Sequence, residues 1–462
     1  MGEKKFEQHL KQVVANISYE YQEGRLSGIT LLRLVVEKLP PELLHKHAQQ
    51  LFLPLVLQLV NDDSKECRAE VSKCIVLLLK RSPAELLQTF EDYCSRWSTQ
   101  TGPLRIASLQ VFGLLVDTRS DFVKSSSLEL SWIKQLEQTL DEREELDWEA
   151  TYFSLVCIEK LIKDFQPALM EHSKLMSSVT ECLTDPHPWI KKSSSRVWNN
   201  FFASNAAAEL FSLNDGMLFE IVRNVLFQFN APEQVQSQDL SDLGVKTLAL
   251  ALPLMAENPH FCYAENDNVA DEDSPSDDGK RDPVFWLLRR LSQIAKAKGS
   301  KRRMTVFKCY AAFVVGHFQI VAPHLELMLE GLHRSSTEAK NESENRALSQ
   351  NRRTSSAMDS NNSHAQAPDT EHGFAEEVLG LIEEQCPSPS DFLKAYAEVK
   401  RRAHSKKQKR KAEQKLEDAQ NPQAATERRT NKKEKNKQRK KRRAEELRIE
   451  RRGGEKKYRH RM

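Results

Sequence analysis

Along the first two thirds of the chain, apolar residues recur at helical spacing on either side of short polar turns. In 48–81 the first stripe is Leu51, Leu53, Leu55, Val56 and Leu59. The turn is Asn61-Asp62-Asp63-Ser64, and the second stripe is Cys67, Val71, Cys74, Ile75, Leu78 and Leu79. Either helix alone would expose a wide apolar face; as a pair they bury it. The pattern returns with a helix over 173–183, the turn Thr184-Asp185-Pro186-His187-Pro188, and a second stripe of Trp189, Ile190, Val197, Trp198 and Phe201. Pro186 and Pro188 stop the first helix and stiffen the turn, and Asp185 is placed to cap the second. Weaker pairs are predicted in 128–165, 217–255 and 283–318, and Pro103 opens a further second helix ending at Val116. Paired helices without strands, at a period of about 40–50 residues, predict an all-α solenoid, a superhelix of helix pairs.

Two polar stretches interrupt the pattern. Residues 265–282 hold 8 acidic and 2 basic side chains, and 335–372 are poor in large apolar residues. Both are expected to be disordered surface loops. A short amphipathic helix is predicted over 374–385, with Phe374, Val378, Leu379 and Ile382 on one face. Pro389-Ser390-Asp391 then starts another, with Ser390 as the expected N-cap. Phe392, Tyr396, Val399 and Ala403 follow at i, i+4, i+7 and i+11. This stripe is expected to dock on the end of the solenoid or on a partner protein. The resulting division is a solenoid over 1–333, a polar linker over 334–372, docking helices over 373–403 and a basic arm over 404–462.

Charge sharpens the picture at the C-terminus. Residues 400–462 hold 27 Lys/Arg against 9 Asp/Glu, a net +18 in a chain whose total is +3. The remainder is therefore at −15. An acidic body with a cationic arm points to a polyanion, with nucleic acid first. The candidate RNA-binding residues are Lys400, Arg401, Arg402, Lys406, Lys407, Lys409, Arg410, Lys411, Arg428, Arg429, Lys432, Lys433, Arg439, Lys440, Lys441, Arg442 and Arg443. The clusters at 406–411 and 439–443 are also candidate nuclear localisation signals, with or without an RNA role; a merely solvated tail is the remaining reading. Asn421-Pro422 is read as a joint, and Gly453 and Gly454 as the end of a second helical stretch that begins near Ala424. Self-repulsion should keep the arm largely unfolded when free, and phosphates should let it order. About ten phosphate contacts on single-stranded RNA would give a log K against log salt slope of about −7. Such contacts position a chain without reading bases. Tyr458 is the one aromatic residue after 400, which argues against a base-stacking platform there.

Two resemblances follow from these residues. Leu53-Pro54 with Asp62 and Cys67-Arg68, and Asp185-Pro186 with Ile190-Lys191, resemble HEAT repeats. The run Tyr396-Ala397-Glu398-Val399-Lys400-Arg401, then Arg410-Lys411, then Asn421-Pro422-x-Ala424-Ala425 and the final Lys/Arg block resembles the end of the small-subunit processome component 20 family. These are very large nucleolar HEAT-repeat proteins, several times longer than this chain, which corresponds to a C-terminal portion. The resemblance implies a scaffold in the particle built around a box C/D small nucleolar RNA, and a need for that scaffold in early cleavages of the ribosomal RNA precursor. It implies as partners precursor ribosomal RNA, the small nucleolar ribonucleoprotein and other processome proteins, and a location in the nucleus and nucleolus. A protein-only transport or adaptor solenoid, and a chromatin-associated HEAT protein with a DNA-binding tail, are the rival readings.

Catalytic chemistry has little support. No P-loop, dinucleotide-binding, nucleophile-elbow or zinc-protease motif occurs, so no enzyme activity, cofactor or small-molecule substrate is expected. The eight cysteines form no C-x-x-C pair and read as reduced core thiols. His45 and His47 make a poor metal pair, and His187 reads as a turn residue. Trp189 and Trp198 are both expected to anchor the core. Arg289, Arg290, Lys296, Lys298, Lys301, Arg302 and Arg303 form a second basic cluster, either a solvated face or a further RNA contact; the acidic 265–282 loop is expected to screen this patch, or the arm, until RNA displaces it. Ser274-Pro275-Ser276-Asp277 and Arg352-Arg353-Thr354-Ser355 suit kinases. The charged N-terminus lacks a secretory pattern, the apolar 51–60 stretch is too short to span a bilayer, and no membrane partner is expected. An apolar face near 13–34 would promote self-association if it normally packs on further repeats.

Overall fold

Helices form where the apolar stripes predict them, and they pair across the polar turns. The computed structural model describes residues 3–204, 211, 216–230, 237–258, 282–296, 300–337, 371–423, 426–431, 433–438 and 441–442. No strand occurs among the described residues. They fall into two units, Met1–Pro387 and Ser388–Met462. The expected acidic and polar loops lie outside the described residues at 265–281 and 338–370. So do Lys298, Cys262, Tyr458, Gly453, Gly454, Ala424 and both kinase-type motifs.

The first unit contains α1 (Glu3–Asn16), α2 (Gln22–Lys38), α3 (Pro41–Asn61), α4 (Lys65–Arg81), α5 (Ala84–Ser98), α6 (Pro103–Thr118), α7 (Ser120–Ser125), α8 (Leu128–Asp141) and α9 (Trp148–Leu161). It continues with α10 (Gln166–Glu171), α11 (Ser173–Glu181), α12 (Pro188–Phe202), α13 (Met217–Phe229), α14 (Gln238–Glu257), α15 (Pro283–Lys296), α16 (Ser300–Val321) and α17 (Glu371–Gln385). Helices α2, α4, α6, α9, α12, α14, α16 and α17 each pack on the next, forming one layer. Along the other layer α3 packs on α5, α8 on α11, α11 on α13 and α13 on α15. Each helix thus buries one stripe against its pair mate and another against the neighbouring pair, as a solenoid requires.

Local chemistry sets the helix ends. Ser64 Oγ accepts from the Cys67 amide at 3.3 Å and caps α4. Pro41, Pro103 and Pro188 open their helices at the first position, where the missing N–H costs nothing. Asp185 does not cap α12: His187 is the N-cap residue, and Asp185 Oδ1 accepts from the His187 amide at 2.7 Å. Its carboxylate is spent holding the turn two residues on.

Ion pairs at a constant sequence separation tie adjacent pairs together. Arg25 meets Asp62, Arg33 meets Glu70, Arg105 meets Glu142 and Arg196 meets Glu159, each 37 residues apart. Asp62 is 5% exposed. Burial alone would raise its carboxyl, but Arg25, the Ser64 amide and Gln58 outweigh that and hold it below the usual carboxylate range. Glu91 has the opposite balance. Burial, aided by the Asp92 charge, pushes its carboxyl up despite a 3.2 Å hydrogen bond from Trp132 Nε1.

Phe52 stacks on Phe90 at 4.1 Å and Phe112 on Trp132 at 4.0 Å in the core. Cys67, Cys74, Cys94, Cys157, Cys182, Cys309 and Cys386 are free and buried. Burial pushes the Cys74, Cys157 and Cys182 thiols up to about 12, so they are poor nucleophiles. Trp198 is fully buried, whereas Trp189 is 53% exposed. The expectation that both anchor the core is therefore corrected. Trp189 sits in the first turn of α12, where its ring stands edge-on to Tyr152 of α9 at 6.3 Å and stays open to solvent. Tyr19, Tyr21, Leu31 and Leu34 are exposed at the α1–α2 end.

Among the described residues one segment, Lys301–Thr337, is long and apolar enough by length and composition to cross a membrane, which the 51–60 stretch is not. It bends at His317 and again through the 3₁₀ turn at Ala322–His324. Val306, Phe307, Phe313, Met328 and Leu332 are buried in the first unit.

Candidate nucleic-acid interface

The first block of basic residues, Lys400 to Lys411, is carried by one long helix, α18 (Pro389–Gln420). Pro389 occupies its first position, and Ser388 rather than Ser390 is the N-cap residue, with no side-chain cap bond. Ser390 lies inside the first turn, its hydroxyl 2.7 Å from that of Ser388. A proline there already fixes the backbone for helix entry, which puts the cap two residues before the expected Ser390. The boundary expected between 403 and 404 falls within this continuous helix. Lys, Arg, Gln, Glu and Ala are good helix formers, and nothing in the sequence breaks the run before Asn421-Pro422. α17, by contrast, belongs to the first unit and packs on α16.

Of the docking stripe, Phe392 and Val399 are buried. Tyr396 is half-buried, stacks on Phe392 at 5.7 Å and carries Lys400 Nζ over its ring at 4.1 Å. Ala403 is exposed and ends the stripe. From Lys400 to Lys411, eight of twelve residues are Lys or Arg and none is acidic. All twelve are exposed. At 100° per residue these cations surround the helix axis rather than sharing one face.

Self-repulsion is partly offset at the start of the basic run and at the C-terminal end of α18. Glu398 accepts from Arg401 at 2.8 and 2.9 Å and from Arg402 at 2.8 Å. The Arg401 hydrogen bond, with that of Arg402, holds the Glu398 carboxyl below its ordinary value. Beyond the joint, Arg428 returns to Glu417 and to Asp418 at 3.7 Å. Arg428 is thus committed to an ion pair within the arm. Lys407, Lys409, Arg410 and Lys411 have no ion-pair partner among the described residues. Arg429, Lys433, Lys441 and Arg442 are helical and exposed. Lys432, Arg439, Lys440 and Arg443 lie outside the described residues.

The second basic cluster is less available than its sequence implies. Arg303 is buried, donating from Nε to the Ala295 carbonyl at 3.1 Å and from Nη1 to Glu371 at 3.0 Å. It joins α15, α16 and α17 and is removed from the candidate surface. Lys296 pairs with Glu330 at 3.4 Å. Arg289 and Arg290 lie over Phe285 and Trp286 at 6.0 and 5.9 Å.

Arg290 and Trp286 also line a cleft of about 520 Å³ between α13 and α15, with Arg223, Asn224, Phe227 and Asn230. Sequence reasoning missed this cleft, since Phe227 reads as another core position in an apolar helix. The available signal was its register: Arg223, Phe227 and Asn230 stand at i, i+4 and i+7, which puts a phenylalanine on the polar stripe. No group of three or more His, Cys, Asp or Glu suited to a metal occurs among the described residues.

No protein-family model matches the chain. It is 28% identical over 233 residues to U3 small nucleolar RNA-associated protein 20 of Schizosaccharomyces pombe, covering 48% of this chain and 9% of that protein. It is 26% identical over 249 residues to the protein of the same name from Saccharomyces cerevisiae, covering 53% of this chain and 10% of that protein. The chain thus spans about a tenth of the length of these curated relatives. Among solved structures, a designed armadillo repeat protein is 14% identical with a TM-score of 0.33, covering 52% of this chain and 98% of its own. An engineered protein is 11% identical with a TM-score of 0.34, covering 53% and 97%. The all-α solenoid rests on the helix pairing itself. Over about half its length, the chain is similar to U3 small nucleolar RNA-associated protein 20 of two yeasts, the family its C-terminal residues resemble.

Proposed function

We propose that this chain is a non-catalytic scaffold segment of the small-subunit processome, acting in ribosome biogenesis, with an arm that holds precursor ribosomal RNA. In this reading the solenoid offers protein-binding surface to other processome components, the stripe of Phe392, Tyr396 and Val399 docks the arm, and the cations beyond it neutralise phosphates of precursor RNA and the small nucleolar ribonucleoprotein. The observation that carries the RNA assignment is the all-round exposure of cations on α18 between Lys400 and Lys411. A helix meant for one flat partner concentrates its contacts on one face. A helix charged on every side suits a site with phosphates on several sides, as inside folded RNA. The relatives' name, which includes a small nucleolar RNA, supports the choice of particle. The same clusters would also serve nuclear import.

RNase treatment of permeabilised cells tests the assignment. The chain is expected to leave the nucleolus when RNA is digested. Retention after RNase with release after DNase would assign a DNA-binding tail. Retention after both would assign a protein-only adaptor.

A further inference from the structure

We propose that the cleft between α13 and α15 binds single-stranded RNA, with one base stacked on Phe227 and flanking phosphates held by Arg223 and Arg290. Phe227 is 66% exposed, at a position one turn along the helix from Arg223. Arg223 is exposed and has no ion-pair partner among the described residues. Arg290 lies over the Trp286 ring, an arrangement that holds a guanidinium plane in place. The cleft therefore presents an open aromatic face with two charges of one sign, and none of the described residues that line it is a carboxylate. Asn224 donates from Nδ2 to the Thr180 carbonyl at 3.1 Å, which leaves its Oδ1 able to accept from a base amino group. A volume of about 520 Å³ is ample for one nucleotide.

The chemistry selects a polymer with both an anionic backbone and a flat apolar group. An acidic peptide would satisfy the arginines and leave Phe227 in water. A duplex would satisfy the arginines but keep its base faces stacked, whereas unpaired bases can be splayed onto an aromatic ring. The site lies wholly in the first unit and does not depend on the arm. It supplies what α18 lacks: a contact that distinguishes a base from its backbone.

The test compares binding of the full chain to an unstructured decaribonucleotide and to the same strand carrying abasic sites, by fluorescence anisotropy at 0.2 M salt. The intact strand is expected to bind about tenfold more tightly, the effect of stacking one base. Phe227→Ala should bring that ratio to about one without changing the abasic affinity. Arg223→Gln should weaken both strands together, by about threefold for one phosphate contact. A ratio of one in the unaltered chain, or the same ratio in Phe227→Ala, overturns the assignment. Glutamine at Lys406, Lys407, Lys409, Arg410 and Lys411 should weaken both strands and keep the ratio. Loss of the ratio in that variant would move the base contact to the arm. Unchanged affinity with an unchanged ratio would refute the arm as the RNA contact while sustaining the cleft.

Discussion

Replacing Lys406, Lys407, Lys409, Arg410 and Lys411 together by glutamine changes charge with little change in helix propensity, so α18 should keep its conformation. The size of the effect depends on how RNA meets the helix. The five positions cover about 200° of arc over about 7.5 Å of rise. RNA lying along one side would reach two or three of them, whereas RNA surrounding the helix would reach all five. Each lost phosphate contact on single-stranded RNA flattens the slope of log K against log salt by about 0.7. Surrounding contact therefore predicts a slope change of about 3.5, and one-sided contact about 1.5–2. Between 0.05 and 0.2 M salt the unaltered chain should lose about 100-fold more affinity than the variant in the first case and about tenfold more in the second. Fluorescence anisotropy across that range, with circular dichroism to check the helix, reads both quantities. A slope change below about 1 would mean that these cations do not meet phosphate, and the RNA reading of α18 would be wrong.

Further predictions concern the solenoid. Trp198→Ala should cost about 3–5 kcal/mol, as for other large buried side chains, and Trp189→Ala less than about 0.5 kcal/mol; equal costs by denaturant unfolding would contradict the two placements. Asp62→Asn should lose about 1.5–3 kcal/mol at pH 7. Because the folded carboxyl of Asp62 is held low, its contribution is present above the unfolded value and disappears as pH falls through the folded one, so the difference from the parent should shrink in acid. Glu91→Gln should do the reverse. Its folded carboxyl is raised, so stability is lost as pH rises through that value, and the variant should be the more stable protein at pH 7 but not below the carboxylate range. Melting temperatures at pH 3.5 and 7 separate the two signs.

The fold was legible because each helix pair repeats one simple pattern: an apolar stripe, a short polar turn and a second stripe. Leu51, Leu55, Leu59 and Cys67, Val71, Leu78 need only their spacing to be placed in the core. Side chains whose position depends on the neighbouring layer were not legible. Trp189 and Trp198 share one helix and one residue type, yet only Trp198 turns inward. Arg303 reads as one cation of a basic run, and its burial depends on Glu371, 68 residues away. The cleft escapes for the same reason, since it joins Arg223 and Phe227 on α13 to Arg290 on α15. The cations of α18 were the easiest part of the candidate site to read, because exposure needs no tertiary information. That one helix carries both stripe and cations follows from the absence of any breaker before Asn421.

The central claim is that this chain holds precursor ribosomal RNA within a small-subunit assembly particle. Ultraviolet crosslinking of the chain in cells, with sequencing of the attached RNA, measures that directly. The prediction is reads concentrated on the ribosomal RNA precursor and its box C/D small nucleolar RNA, lost when the five cations of α18 are replaced. Reads spread over messenger RNA, or an unchanged pattern in that variant, would contradict it.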